Sequence, residues 1–236
     1  MDYRRVMERL QGLANPEKVE FKAKKFGINT SNSLGIYHSD LKVLAKEIGN
    51  NDTLALQLFD SGIYEARILA SKVFSPKSIT SELADKWIQA FDTWEICDSF
   101  CMGLISKSDC AVEKALEWVN RTNEFEKRAG FVLMASYGFA DKKASNALFE
   151  QFLPILIEGS NDNRIYVKKA VNWALRNIGK RNIDLHAKAI ETSKQILEID
   201  HPAAQWIAKD ALRELEKSGL TLLGYPRSIY SRTKLA

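Results

Sequence analysis

Apolar residues recur along this chain at helical spacing almost throughout, and no segment shows the strict alternation of a half-buried strand. The periodicity predicts helices over 16–26, 39–49, 52–60, 63–74, 79–91, 94–106, 110–120, 124–138, 143–157, 162–180, 184–197 and 203–217. The breaks carry the chemistry that stops or starts a helix: Asn50-Asn51-Asp52, Ser75-Pro76, Ser106 to Asp109, Gly159 to Asp162, and His201-Pro202. Asn161 or Asp162 is expected to cap the helix that follows, and Gly179 to end it. Short turns between successive helices predict antiparallel pairs.

A degenerate repeat runs through these helices. Tyr64-Glu-Ala-Arg67, Phe125-Glu-Lys-Arg128 and Tyr166-Val-Lys-Lys169 share an aromatic–x–x–basic start followed by apolar residues. Arg67 and Arg128 are 61 residues apart, and Arg128 and Lys169 are 41 apart. Periods of roughly 40 residues belong to helical repeats of the HEAT type, which stack into a solenoid with a concave inner face. The expected fold is all-α: a curved superhelical solenoid of HEAT-like antiparallel helix pairs. One repeat domain is expected over 1–217, followed by a basic C-terminal tail over 218–236.

Charge sharpens this picture at one place. Arg164 to Arg181 holds six Lys or Arg and no Asp or Glu. Wound as a helix at about 100° per residue, it buries Val167, Ala170, Val171, Ala174 and Ile178 on one stripe. Lys169, Trp173, Arg176 and Lys180 form another stripe, with Tyr166 at its edge. A tryptophan within a basic face suits either a nucleic-acid backbone or a covering helix of a second layer. The net charge of the chain is only +4, so outside this segment it is slightly acidic. A positive field concentrated on a near-neutral body fits a phosphate-binding groove. Lys168, Lys169, Arg176, Lys180 and Arg181 are the expected DNA contacts.

Other features narrow the class. With 236 residues, 45% of them hydrophobic, the chain can bury a full core. Its three cysteines, an odd number, argue for a reducing compartment, and no apolar run of about 18 residues appears, so a cytoplasmic protein without membrane contact is expected. His38, His186 and His201 are scattered, and Cys97 and Cys101 lack a second ligand pair, which argues against a metal site. With no phosphate-binding glycine loop and no Gly-x-Ser-x-Gly, no cofactor is expected.

Two further constellations carry chemistry. Trp94 and Asp98 stand at i and i+4, so a helix points both side chains the same way. Core packing and an ordinary ion pair would explain most such pairs. Arg128 shares a helix face with Phe131, Val132 and Ala135, and a half-buried guanidinium needs an anionic partner, for which Asp98 is the natural candidate.

From about Asn15 to Lys217 the chain resembles the AlkD-type alkylpurine DNA glycosylases, which are built from HEAT-like repeats. The resemblance rests on Asn15-Pro-Glu-Lys18, Trp94-x-x-x-Asp98, Lys127-Arg128-Ala129 and the run Val167 to Arg176 with Trp173. It implies Asp98 as the catalytic carboxylate, Trp94 as its aromatic neighbour, Arg128 as its paired arginine and Trp173 as the second tryptophan. That family places a tyrosine against the lesion-bearing strand where this chain has Lys25 or, one residue out of register, Phe26. These two complete the expected DNA contacts. The tail, with Arg227, Arg232 and Lys234 and no acidic residue, lies outside the resemblance and reads as a DNA-touching or disordered arm.

The expected activity is excision of cationic N3- or N7-alkylated purines from duplex DNA by a monomer. The alternatives are a DNA-binding relative without catalysis and a HEAT-type scaffold whose basic face binds an acidic protein.

Overall fold

The computed structural model describes residues 1–26 and 31–236, the Phe26 side chain excepted. The chain divides into two compact units, Met1–Asp109 and Cys110–Ala236, where one domain over 1–217 is the expectation from sequence. Unit 1 holds α1 (Tyr3–Gly12), α2 (Pro16–Phe26), α3 (His38–Ile48), α4 (Asp52–Asp60), α5 (Tyr64–Val73), α6 (Ser81–Ile88) and α7 (Trp94–Gly103). Unit 2 holds α8 (Ala111–Trp118), α9 (Glu124–Ala140), α10 (Asn146–Gly159), α11 (Ile165–Gly179), α12 (Ile183–Leu197) and α13 (Pro202–Leu215). A two-residue antiparallel pair, β1 (Thr221–Leu222) with β2 (Thr233–Lys234), closes the tail. Among the described residues everything else regular is helix, as the apolar periodicity requires.

Helices pack as antiparallel neighbours, α4 on α5 in unit 1, and α8 on α9 and α12 on α13 in unit 2. The unit 1 core is an aromatic cluster. Trp87 of α6 meets Phe59, Phe74 and Phe100 with ring centres 5.0–5.3 Å apart, in tilted and edge-on arrangements favoured by ring quadrupoles. In unit 2, α9 lies close to α8 because residue 130 is glycine. A Cβ there would stand 2.6 Å from the Val119 amide nitrogen and 3.0 Å from the Ala115 carbonyl. Gly130→Ala is therefore expected to destabilise unit 2 by about 1–3 kcal/mol, as overpacking does, measured by chemical denaturation. An unchanged midpoint would mean that the two helices separate freely.

Two differences from the sequence expectations have local causes. α1 escapes the periodicity because only two apolar side chains, Val6 and Leu10, are buried in it. Its start is capped by Asp2, which accepts a hydrogen bond from the Arg5 amide at 2.9 Å. The helix expected to run to 106 stops at Gly103 and a 3₁₀ turn follows over Ile105–Lys107, with Ser106 Oγ donating back to the Met102 carbonyl.

The tail is not a free arm. The amides of Leu223 and Tyr225 donate to the Lys180 and Arg181 carbonyls at 2.8 and 3.1 Å, and Leu222 is fully buried. Tyr230 donates its hydroxyl to Asp184 at 2.5 Å. Residues 218–236 thus belong to unit 2.

Candidate functional site

The N-terminal half of α7 carries the chemistry of unit 1. Thr93 caps the helix by accepting from the Ile96 amide at 3.3 Å. Ile96, Cys97, Phe100 and Cys101 then face the core. The 3.6-residue period leaves Trp94, Asp98 and Met102 on the outer face, at successive i+4 positions. Trp94 and Asp98 are half-buried, and both line an open cleft of about 440 Å³. His38 from the start of α3, Lys72 from the end of α5, Glu95 and Ser99 complete its polar lining.

Below the cleft lies a buried network of charge. Glu95 accepts from His38 Nε2 at 2.5 Å and from the Tyr64 hydroxyl. Lys22 from α2 sits between two carboxylates, 3.6 Å from Glu95 and 3.7 Å from Glu65, with its ammonium 4.9 Å from the Tyr64 ring centre. Glu65 is fully buried and is wrapped by the 33–36 loop. It accepts from Ser33 Oγ at 2.7 Å and from the amides of Leu34, Gly35 and Ile36 at 2.7, 2.9 and 3.3 Å. Gly35 makes this wrapping possible: its φ is +73°, and a Cβ there would stand 2.1 Å from the Asn15 carbonyl oxygen.

The network sets the charge states. Burial pushes the Glu95 carboxyl up, but hydrogen bonds from His38 and Tyr64 and the Lys22 charge outweigh it and hold Glu95 at about 2. Burial, then the Glu95 charge, drives Tyr64 far above its ordinary range. The Glu95 shift predicts a pH dependence of stability. A depressed carboxyl stabilises the fold fully above its ordinary value of 4.5, and that contribution is lost as pH falls toward 2. The melting-temperature gap between wild type and Glu95→Gln should be full at neutral pH and close across that window. A gap independent of pH would show that the carboxylate charge is irrelevant.

Unit 2 holds the other two expected catalytic residues, Arg128 and Trp173. Arg128 is buried, and its guanidinium donates to the Tyr166 carbonyl at 2.6 Å, tying α9 to α11. Trp173 is half-buried, outside the α11 core stripe of Val167, Ala170, Val171, Ala174 and Ile178, all of which are buried as expected.

The basic face of α11 differs from the reading of its sequence. Arg176 and Lys180 both bind the Glu214 carboxylate of α13, Lys180 at 2.6 Å, and Arg176 also lies 3.9 Å from Asp210. Lys168 rests its ammonium 4.9 Å from the Trp206 ring centre, and Arg164 is held by Asp162. Asp162 accepts from the Arg164 amide, while Arg164 itself occupies the N-cap position without a side-chain cap. Lys169 is exposed. Arg181, expected to contact DNA, is 1% exposed and unable to reach it. Its guanidinium donates to the carbonyls of Gly138, Asp141 and Ala144 and lies 4.3 Å from the Phe149 ring centre. Desolvation explains that arrangement, since a buried cation must find acceptors. The acids that meet Arg176 and Lys180 and the tryptophan that meets Lys168 all come from α13.

Lys25 is exposed on α2, its ammonium 5.0 Å from the Phe21 ring centre. The Phe26 side chain lies outside the described residues. Cys97, Cys101 and Cys110 are all buried in the core. Among the described residues no helix is long and apolar enough to cross a membrane.

His38, Lys72 and Glu95 are missed by the motif. Glu95 had a signal, since it stands three residues before Asp98 on a helix whose other acid is the candidate. His38 and Lys72 had none, because packing alone brings the α3 and α5 ends to α7.

Comparison with known proteins bears on the family and the fold. A 25% identical relative, uncharacterized protein Lin0241 of Listeria innocua serovar 6a, aligns over 89% of this chain and 93% of its own length. Uncharacterized protein Lmo0209 of Listeria monocytogenes serovar 1/2a aligns over the same shares at 24% identity. The fold is shared, at a TM-score of 0.73 and 22% identity, with a solved protein of a family related to the HEAT-like repeat DNA glycosylases that has affinity for branched DNA structures; the match covers 90% of this chain and 95% of that one. The model of the DNA alkylation repair enzymes matches residues 6–215, a span that includes the Trp94–Asp98 cleft and both helical units, and to that family the chain belongs.

Proposed function

We propose that the protein is a DNA glycosylase that releases cationic N3- or N7-alkylated purines from duplex DNA. The observation that carries this reading is the Asp98 carboxylate beside the Trp94 ring in an open cleft of about 440 Å³. A purine alkylated at N3 or N7 already bears a positive charge. It departs as a neutral base with the electron pair of the C1′–N bond, so no general acid is required. What the reaction needs is a fixed anion beside the oxocarbenium-like sugar, and Asp98 supplies it. The same carboxylate orients the water whose oxygen bonds to C1′, and the water's proton leaves to solvent. Trp94 presents an apolar face to the deoxyribose and excludes bulk water. Arg128 and Trp173 are carried over from their sequence motifs alone, as the paired arginine and the second tryptophan that the resemblance implies. Lys25 and Lys169, both exposed, are assigned to phosphate contacts.

The test is incubation of the purified protein with duplex DNA carrying N7-methylguanine or N3-methyladenine, with the free base measured. Release above the spontaneous rate supports the assignment.

A second reading is favoured by the structural relative, whose family has affinity for branched DNA structures. The chain would then bind DNA junctions without excision. Tight junction binding with no base release, at any protein concentration, selects that alternative.

A further inference from the structure

The expected positive face of α11 is largely compensated, whereas a second cluster of cations, in unit 1, is not. Lys42 of α3, Lys72 of α5 and Lys107 of the 3₁₀ turn line a groove of about 390 Å³, together with Asn50 and Gly103, and no carboxylate lines it. Lys72 and Gly103 also line the Trp94–Asp98 cleft, so the two hollows adjoin. Lys42 and Lys107 are exposed and Lys72 is half-buried between them. Burial, then the Lys42 charge, lowers the Lys72 ammonium from its ordinary range, Lys107 adds to this, and Glu95 opposes it. Lys107 donates to the Gly103 carbonyl at 2.8 Å, an interaction that directs the ammonium but leaves its charge uncompensated.

Three ammonium groups lining one groove, one of them partly desolvated, repel one another, and an entering anion relieves that repulsion. We propose that this groove binds a backbone phosphate of the DNA strand next to the nucleotide whose sugar meets Asp98. This rests on the reading of the cleft as the site of base release. Along a nucleic-acid strand each sugar is flanked by phosphates, so a phosphate site adjoining a sugar site is what a strand running through both hollows requires. Ammonium groups suit this role because they act as point charges tolerant of phosphate orientation. The groove also gives the enzyme a way to seat the strand without reading a base.

The experiment measures duplex binding against salt concentration for wild type, Lys42→Gln, Lys72→Gln, Lys107→Gln, Lys72→Arg and the exposed control Lys86→Gln. Melting curves report folding. Each groove variant is expected to weaken binding and to flatten the log–log salt slope by about one unit, because one counterion-releasing contact is lost. Lys72→Arg should keep the slope, and Lys86→Gln should leave it unchanged. Folded groove variants with a wild-type slope would overturn the proposal. So would binding of millimolar inorganic phosphate, at constant ionic strength, that the groove variants abolish while duplex affinity and its salt slope stay unchanged, since the groove would then serve a small anion. Base release is measured in parallel by wild type. Flattened slopes on undamaged duplex with no base release would retain the groove and remove the glycosylase reading, whereas base release with unchanged slopes would do the reverse.

Discussion

Asp98→Asn is expected to reduce the release of alkylated purine by about 10²–10³-fold under single-turnover conditions, the usual effect of losing one preorganised electrostatic group. The substitution keeps the size of the side chain and its place on the outer face of α7, four residues after Trp94. It removes the negative charge that stabilises an oxocarbenium ion. Binding to undamaged duplex should hold or tighten, since an anion near phosphate has been deleted, so the variant separates chemistry from affinity. Equal rates for wild type and Asp98→Asn would remove Asp98 from the mechanism. The neighbouring acid cannot substitute, because the Glu95 carboxylate is already engaged by His38 and Tyr64.

The largest loss of stability is expected at Glu65. Truncation to alanine leaves the amides of Leu34, Gly35 and Ile36 without their acceptor and deprives Lys22 of one of its two carboxylates. Breaking a buried ion pair from one side costs about 3–5 kcal/mol, a large fraction of the roughly 5–15 kcal/mol that holds a typical domain. Glu65→Gln retains an acceptor oxygen but turns an amide donor toward the same loop, so it too should be unstable. Denaturation followed by tryptophan fluorescence would show the effect, since Trp87 and Trp94 report on unit 1. A loss below about 1 kcal/mol would mean that water replaces the carboxylate, as at an exposed pair.

How much of this could be read from the sequence depends on the range of the interaction concerned. The buried stripe of α11 was legible because each of its members lies within one or two turns of the next. The Trp94–Asp98 pair was legible for the same reason. The charge state of the α11 face was not: Lys180 meets Glu214 from 34 residues away and Arg176 meets it from 38. A count of six cations without a local acid therefore described the segment but not the acids that α13 sets against it. Arg181 failed similarly, since its acceptors are backbone carbonyls at 138, 141 and 144, which leave no mark on composition. His38 and Lys72 reach the cleft from helix ends that only packing places. The tail read as an arm because its anchors are main-chain hydrogen bonds to Lys180 and Arg181.

Glu214 concentrates the control of the α11 charge in one side chain. One carboxylate holds two cations, and burial, opposed and overcome by hydrogen bonds from Lys180 and Arg176, leaves its carboxyl below the ordinary range. Loss of this single acid frees Lys180 and leaves Arg176 only Asp210, 3.9 Å away, with no new basic residue required. Affinity for polyanions on this surface is therefore separated from the present state by one codon change, and selection on an acidic position would tune it.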